Sequence, residues 1–176
     1  HYLALTHGII APDTGMIDAP IARSANERTR MAVRDVPSAR DAVTTFRVLE
    51  RFEAGVHDDG YTLIDCKLFT GRTHQIRVHL QYAKHPLVGD PVYTANGPKD
   101  ARAQLGLARQ FLHSFKLRFD HPMTGESLSF ADNLPSDLAG ALAGLAPRSR
   151  DVTDAGREVF ELLSHSPHPS VEGTIG

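Results

Sequence analysis

Between Gly71 and Lys84 the chain reads Gly-Arg-Thr-His-Gln-Ile-Arg-Val-His-Leu-Gln-Tyr-Ala-Lys, and this run holds the residue types best suited to chemistry. The guanidinium groups of Arg72 and Arg77 match phosphate or carboxylate oxygens in a two-pronged geometry. Gly71, Arg72 and Thr73 open a stretch of helical periodicity, so their side chains and the free N–H groups of a first helical turn suit an anionic oxygen such as a phosphate. From Cys66 to Gly89 there is no acidic residue, whereas Lys67, Arg72, Arg77 and Lys84 all fall there. A local basic patch therefore sits on a chain whose net charge is −2. The plainer reading makes Arg72 and Arg77 solvated or structurally paired, and His74 and His79 ordinary helix surface. A phosphate-ester hydrolase built on His74 and Asp90 lacks a nucleophile-base set, and no metal-ligand spacing is present.

The elements that must position these groups follow from periodicity. Tyr61 to Phe69 is a β-type run that stops at Thr70-Gly71, and Ile76, Leu80 and Ala83 then recur at helical spacing. A strand should pass through a tight turn into a helix, with His74, Arg77, Gln81 and Lys84 on its polar face. Upstream, Tyr2 to Gly8 reads as a strand, Pro12 to Gly15 as a turn, and Met16 to Ile21 as a returning strand, which predicts a hairpin. Arg23 to Arg40 is an arginine-rich loop around a short strand at Met31 to Val33, able to extend a phosphate footprint. Ala42 to Phe52 is rich in strand formers.

Downstream, the prolines and glycine of His85 to Tyr93 predict a loop in which Asp90 forms a turn. Asn96 to Arg109 is weakly helical. Phe111, His113, Phe115, Leu117 and Phe119 alternate up to a turn at His121 to Gly125, so a hairpin with a buried odd-numbered face is expected. Leu134 to Leu145 reads as a helix, Asp154 to Leu163 as a helical turn or two, and Ser164 onward as disordered. Short connections favour a largely antiparallel sheet.

Length and composition bound the rest. With 176 residues the chain supports one domain with a real core, and it has no apolar run of about 18 residues that would span a membrane. Cys66 is the single cysteine, so no disulfide forms within the chain, and a reducing, cytoplasmic setting is expected. The net charge argues against indiscriminate coating of nucleic acid but not against binding through a patch. The first residue is His1 and enters a strand directly, so the chain is expected to be the C-terminal piece of something longer.

Three runs together carry a resemblance: Leu68 to Leu80, the segment His-Pro-Leu-Val-Gly-Asp-Pro-Val-Tyr at 85–93, and Leu-His-Ser-Phe-Lys-Leu-Arg-Phe-Asp-His-Pro-Met-Thr-Gly at 112–125. In this order they resemble the ribosomal large-subunit pseudouridine synthase family, and Tyr2-Leu-Ala-Leu resembles that family's tyrosine motif. The resemblance implies an α+β fold with a mixed, mainly antiparallel sheet flanked by helices, here incomplete. Residues 1–146 would be the C-terminal half of the catalytic domain and 147–176 a partly disordered extension. It further implies isomerisation of uridine to pseudouridine in RNA, ribosomal or transfer, without metal or organic cofactor, on a base flipped from the stack. Tyr2 would stack on the uracil and take part in proton transfer at carbon 5. Arg77 would pair with an aspartate nucleophile, keeping it ionised and in one rotamer. Gly71, Arg72, Thr73, His74 and Gln75 would bind substrate. The arginine-leucine-aspartate motif that bears the nucleophile should precede the tyrosine motif and is absent here; Asp13, Asp65 and Asp90 have the wrong neighbours for it. The chain is therefore expected to need a preceding N-terminal part for turnover, and the alternative is a non-catalytic RNA-binding module.

Overall fold

The computed structural model describes residues 1–27, 29–94 and 97–164. Its strands are β1 (Tyr2–His7), β2 (Thr14–Asp18), β3 (Ile21–Arg23), β4 (Met31–Val33), β5 (Val43–Phe52), β6 (Tyr61–Leu68), β7 (Leu112–Ser114), β8 (Lys116–Asp120), β9 (Ser127–Ala131) and β10 (Ser149–Val152). The helices are α1 (Gln75–Tyr82), α2 (Ser136–Leu145) and α3 (Asp154–Ser164). The main sheet runs β10-β5-β6-β1-β7, with β2 paired to the first half of β5. Among the described residues every strand pair is antiparallel.

The central strands are apolar on both faces because both faces are covered. Leu3, Leu5, Leu49, Phe52, Tyr61 and Leu63 point to one side, where they meet Leu138 and Leu145 of α2 and Val159 of α3. Ala4, Val48, Ile64 and Cys66 point to the other, where Ile76 and Leu80 of α1 lie on them. The result is three layers, with α1 the one α-helix on its side of the sheet among the described residues. Burial on both faces removes large apolar surface from water, at about 25 cal/mol per Å2. At α3 the contact with β5 is close enough that a Cβ on Gly156 would meet the Leu49 carbonyl oxygen at 2.2 Å.

Several expectations are corrected. The returning strand at Thr14–Asp18 does not pair with β1; β1 lies between β6 and β7, and β2 joins β5, so the turn at Pro12 leads away from the first strand. Local turn chemistry signals a reversal but does not choose the partner. The strand at 111–119 is broken at Phe115: Leu112–Ser114 stays in the main sheet while Lys116–Asp120 turns off to pair with Ser127–Ala131 in a separate two-stranded sheet. Its odd-numbered face is accordingly split. Phe111 and Phe115 are buried, whereas Leu117 and Phe119 are 56% and 43% exposed, with Phe130 stacked on Phe119 at 6.0 Å. The segment after Pro147 is part of the fold, since β10 pairs with β5 and Val159 enters the core. The expected disorder from Ser164 onward lies, beyond that residue, outside the described residues. No helix among the described residues is long and apolar enough to cross a membrane.

Candidate functional site

The corner between β6 and α1 is fastened by one side chain. Gln75 accepts hydrogen bonds on Oε1 from the Thr70 hydroxyl (2.8 Å) and the Arg72 N–H (3.0 Å), and donates from Nε2 to the Val43 carbonyl and the Thr44 hydroxyl, both at 3.0 Å. Expected to bind substrate, Gln75 is instead buried with its amide fully occupied by the fold. It positions the corner and does not line it. Thr44 passes the chain on: its hydroxyl lies 2.9 Å from His79 Nδ1, and His79 Nε2 lies 2.9 Å from the Ala19 carbonyl. A carbonyl only accepts, so the His79 proton is on Nε2 and Nδ1 accepts from Thr44. The reading of His79 as helix surface is corrected, for it is fully buried.

Burial pushes the His79 pKa below its ordinary value, against the smaller raising effect of the Ala19 carbonyl. The buried His7 is shifted the same way and for the same leading reason. A lowered folded-state pKa means that the unfolded chain takes up the proton first as pH falls. Stability from these histidines is therefore present above about pH 6.5 and is lost as pH drops from there through their lowered folded values. His79→Gln should flatten this part of the stability profile in denaturant titrations between neutral and mildly acidic pH; an unchanged slope would refute the assignment.

The polar face expected for α1 is corrected at Arg77, whereas His74 and Lys84 are exposed and Gln81 half-buried. Arg77 points inward and forms a buried two-pronged pair with Asp90: Nε donates to Oδ2 at 2.7 Å and Nη2 to Oδ1 at 2.8 Å. Asp90 Oδ1 also accepts the N–H groups of Val92 and Tyr93 at 2.9 Å. Burial alone would raise the Asp90 pKa, but the Arg77 guanidinium and these two N–H groups hold it below the usual carboxylate range. Thus the turn-forming role expected of Asp90 is present, and an ion pair is added to it. The Arg77 guanidinium lies 4.8 Å over the Tyr93 ring. Tyr93 accepts the Met31 N–H at 3.0 Å on its hydroxyl, which lies 2.8 Å from His74 Nδ1. His74 caps α1 with a left-handed backbone, φ 56°, and its exposed ring meets Tyr93 edge-on at 5.5 Å.

Tyr2 reaches the same side of the sheet. It packs half-buried on the cluster that contains Ile76 and Leu80, so Tyr2 and Arg77 share the α1 face. The loop carrying Asp90 is tied to the strand bearing Tyr2 by His7 N–H to Pro86 O (3.0 Å) and Val88 N–H to Leu5 O (2.9 Å). The other aspartates lie elsewhere. Asp65 is buried at the Leu3 register position, on the face away from α1, held by Arg47 at 2.9 Å and His1 at 2.8 Å. Asp13 pairs with Arg51 at 2.7 Å.

Two clefts open at this end of the sheet. One, about 510 Å3, is lined by Arg23 and Met31 of the β3–β4 hairpin, Arg40, and Gly71, Arg72 and Thr73. It brings the arginine-rich loop and the corner together. A Cβ on Gly71 would meet nothing within 4 Å, so the backbone there is open to close approach. Arg72 is anchored by Nε to the Asp41 carbonyl at 2.9 Å. The second cleft, also about 510 Å3, is lined by Tyr2, Lys67, Leu68, Lys116, Leu117 and Arg118 among others, with no carboxylate. Among the described residues no group of three or more His, Cys, Asp or Glu is placed to hold a metal ion. Tyr93, Lys116 and Arg118 escape the sequence reading. The Asp-Pro-Val-Tyr run following an arginine-bearing helix is a signal from which Tyr93 could have been found.

Comparison with known proteins gives a consistent result. The model of the RNA pseudouridylate synthase family matches residues 1–82. Ribosomal large subunit pseudouridine synthase D of Nitrosomonas europaea is 48% identical over 147 residues, covering 82% of this chain and 40% of that protein. An uncharacterized RNA pseudouridine synthase of Bacillus subtilis is 47% identical over 145 residues, covering 82% of this chain and 43% of that protein. The chain thus spans about two fifths of the length of these curated relatives. Among solved structures, human RNA pseudouridylate synthase domain containing 1 superposes with a TM-score of 0.69 at 26% identity, over 96% of this chain and 66% of that one.

Proposed function

From the premise that this chain belongs to the ribosomal large-subunit pseudouridine synthase family, we propose that the protein isomerises uridine to pseudouridine in RNA. Large-subunit ribosomal RNA is the favoured substrate, a transfer RNA stem-loop the second choice, and a cytoplasmic setting goes with either. The reaction breaks the bond from the ribose to uracil nitrogen 1, turns the base and rejoins it through carbon 5, so nothing is gained or lost in the net change. Residues 1–146 act as the C-terminal half of the catalytic domain, with β10 and α3 packed onto the same sheet and core.

The observation that carries the reading is that Tyr2 and helix α1, which bears Arg77, lie on one side of the sheet, with Tyr2 lining one cationic cleft and the Gly71–Thr73 corner ahead of α1 lining the other. Tyr2, at the mouth of its cleft, stacks on the uracil and takes part in proton transfer at carbon 5. Arg77 presents a guanidinium that is already fixed: Asp90 engages Nε and Nη2, the Tyr93 ring supports its face, and Nη1 has no hydrogen-bond partner among the described residues. That remaining edge is the one suited to the nucleophilic carboxylate. Gly71, Arg72 and Thr73 hold backbone phosphate, and His74, pinned to Tyr93, borders them.

The nucleophilic aspartate comes from the part of the domain that precedes Tyr2. A pseudouridine assay on ribosomal RNA with the 176-residue chain should therefore find no product. Product formed by this chain alone would overturn the assignment of the aspartate to the preceding part.

A further inference from the structure

The two clefts are separated by very little chain. Leu68 lines the Tyr2 cleft and Gly71 lines the arginine cleft. Three residues span at most about 11 Å, even fully extended. At the stacked spacing of about 3.4 Å per phosphate along a strand, that distance corresponds to about three nucleotides. Between the clefts stands Phe69, which is 62% exposed, with the Lys67 ammonium 5.0 Å from its ring centroid. An apolar ring of this size left in water is unexplained by the core, since the strand ends at Leu68 and Phe69 joins none of the buried clusters.

The charges on either side are also uncompensated. Among the described residues, Arg40 and Arg72 on one side and Lys67, Lys116 and Arg118 on the other have no carboxylate within ion-pair distance. Like charges gathered in two open clefts suit a polyanion, and an exposed aromatic between them suits a base, whose flat face stacks whatever its identity. A duplex presents its phosphates but not its base faces, so the combination favours a single strand.

Resting on the reading of the protein as an RNA-modifying enzyme, we propose that the rim from Lys67 to Arg72 carries one RNA strand across the end of the sheet, with Phe69 stacking the base of a nucleotide next to the target and the flanking cations taking its phosphates. The target uridine then occupies the Tyr2 cleft, and the strand continues over Gly71 toward Arg40. The rim sets which neighbouring nucleotides a substrate must leave unpaired.

The test is binding of the 176-residue chain to a labelled single-stranded uridine-containing RNA, titrated with salt. Phe69→Ala should weaken binding about tenfold with the salt slope unchanged, and Phe69→Trp should restore it. Lys116→Gln combined with Arg118→Gln should lower the slope by about 1.4, at about 0.7 per single-strand phosphate, and Arg40→Gln by about half of that. Circular dichroism on each variant establishes that it is folded, and the charge-keeping Lys116→Arg should bind like the parent. If the parent binds and Phe69→Ala matches it, or if the charge variants leave the slope unchanged, the strand path is overturned while the enzymatic reading stands. Failure of the parent chain to bind any single-stranded RNA would overturn the strand path; the enzymatic reading fails separately, if the full-length protein forms no pseudouridine in ribosomal RNA.

Discussion

Asp90→Ala is expected to cost the fold about 3–5 kcal/mol, because it strands the Arg77 guanidinium inside the protein. Both side chains are almost wholly out of water, and two short hydrogen bonds join them in parallel. Removing the carboxylate also leaves the Val92 and Tyr93 N–H groups without their acceptor. For a chain of this size each kcal/mol moves the midpoint by about 2–4 °C, so thermal unfolding should fall by about 6–20 °C. Asp90→Asn keeps an oxygen for the turn and loses the charge, and it should lie between the two. A midpoint for Asp90→Ala within about 2 °C of the parent would show that the pair is not buried as described. The consequence for chemistry is separate from stability. An Arg77 no longer gripped on its Nε edge can rotate, and under the function proposed above it would then lose the fixed edge offered to the nucleophilic carboxylate.

The second large effect is expected from Gly89→Ala, one residue away. Gly89 has φ +72°, and a Cβ there would lie 2.3 Å from the Arg109 carbonyl oxygen and 2.8 Å from Leu107 Cβ. The left-handed backbone alone costs an L-residue about 1–2 kcal/mol. The contact with a backbone oxygen adds to this, because the nearby chain is held by hydrogen bonds from Phe111 N–H to Val88 O at 2.8 Å and from Leu5 N–H to Phe111 O at 3.3 Å. A total of about 2–4 kcal/mol follows. Gly71→Ala is the matched control, since its Cβ meets nothing and its backbone is not in the left-handed region, so its effect should stay within about 0.5 kcal/mol. Equal chemical denaturation midpoints for the two variants would refute the argument.

These two sites mark the boundary of what the amino-acid order reveals. Strand β6, the turn at Thr70-Gly71 and helix α1 are legible because their apolar residues change period from two to about four at a glycine. The inward turn of Arg77 is not. Helical periodicity assigns a charged residue to the wet face, and the carboxylate that makes burial tolerable lies 13 positions away in a proline-rich loop. Gln75 and His79 are missed for the same reason, as their partners Thr44 and Ala19 belong to segments that only the folded sheet brings near. The grouping of Arg72 with Arg23 and Arg40 was half visible as two basic stretches, and the fold joins them in one cleft. The second cleft was invisible because alternation through Phe115 reads as one continuous strand. The break at that residue turns β8 out of the sheet and carries Lys116 and Arg118 to the mouth beside Tyr2.

Cys66 lies directly across from Tyr2 in the ladder, fully buried, and burial pushes its thiol far up from the ordinary value. As the sole sulfhydryl of the chain, it is out of reach of alkylating reagents while β1 and β5 flank it. Pulse alkylation then becomes a gauge of how often those strands part, read at the residue paired with Tyr2, without any dye or engineered label.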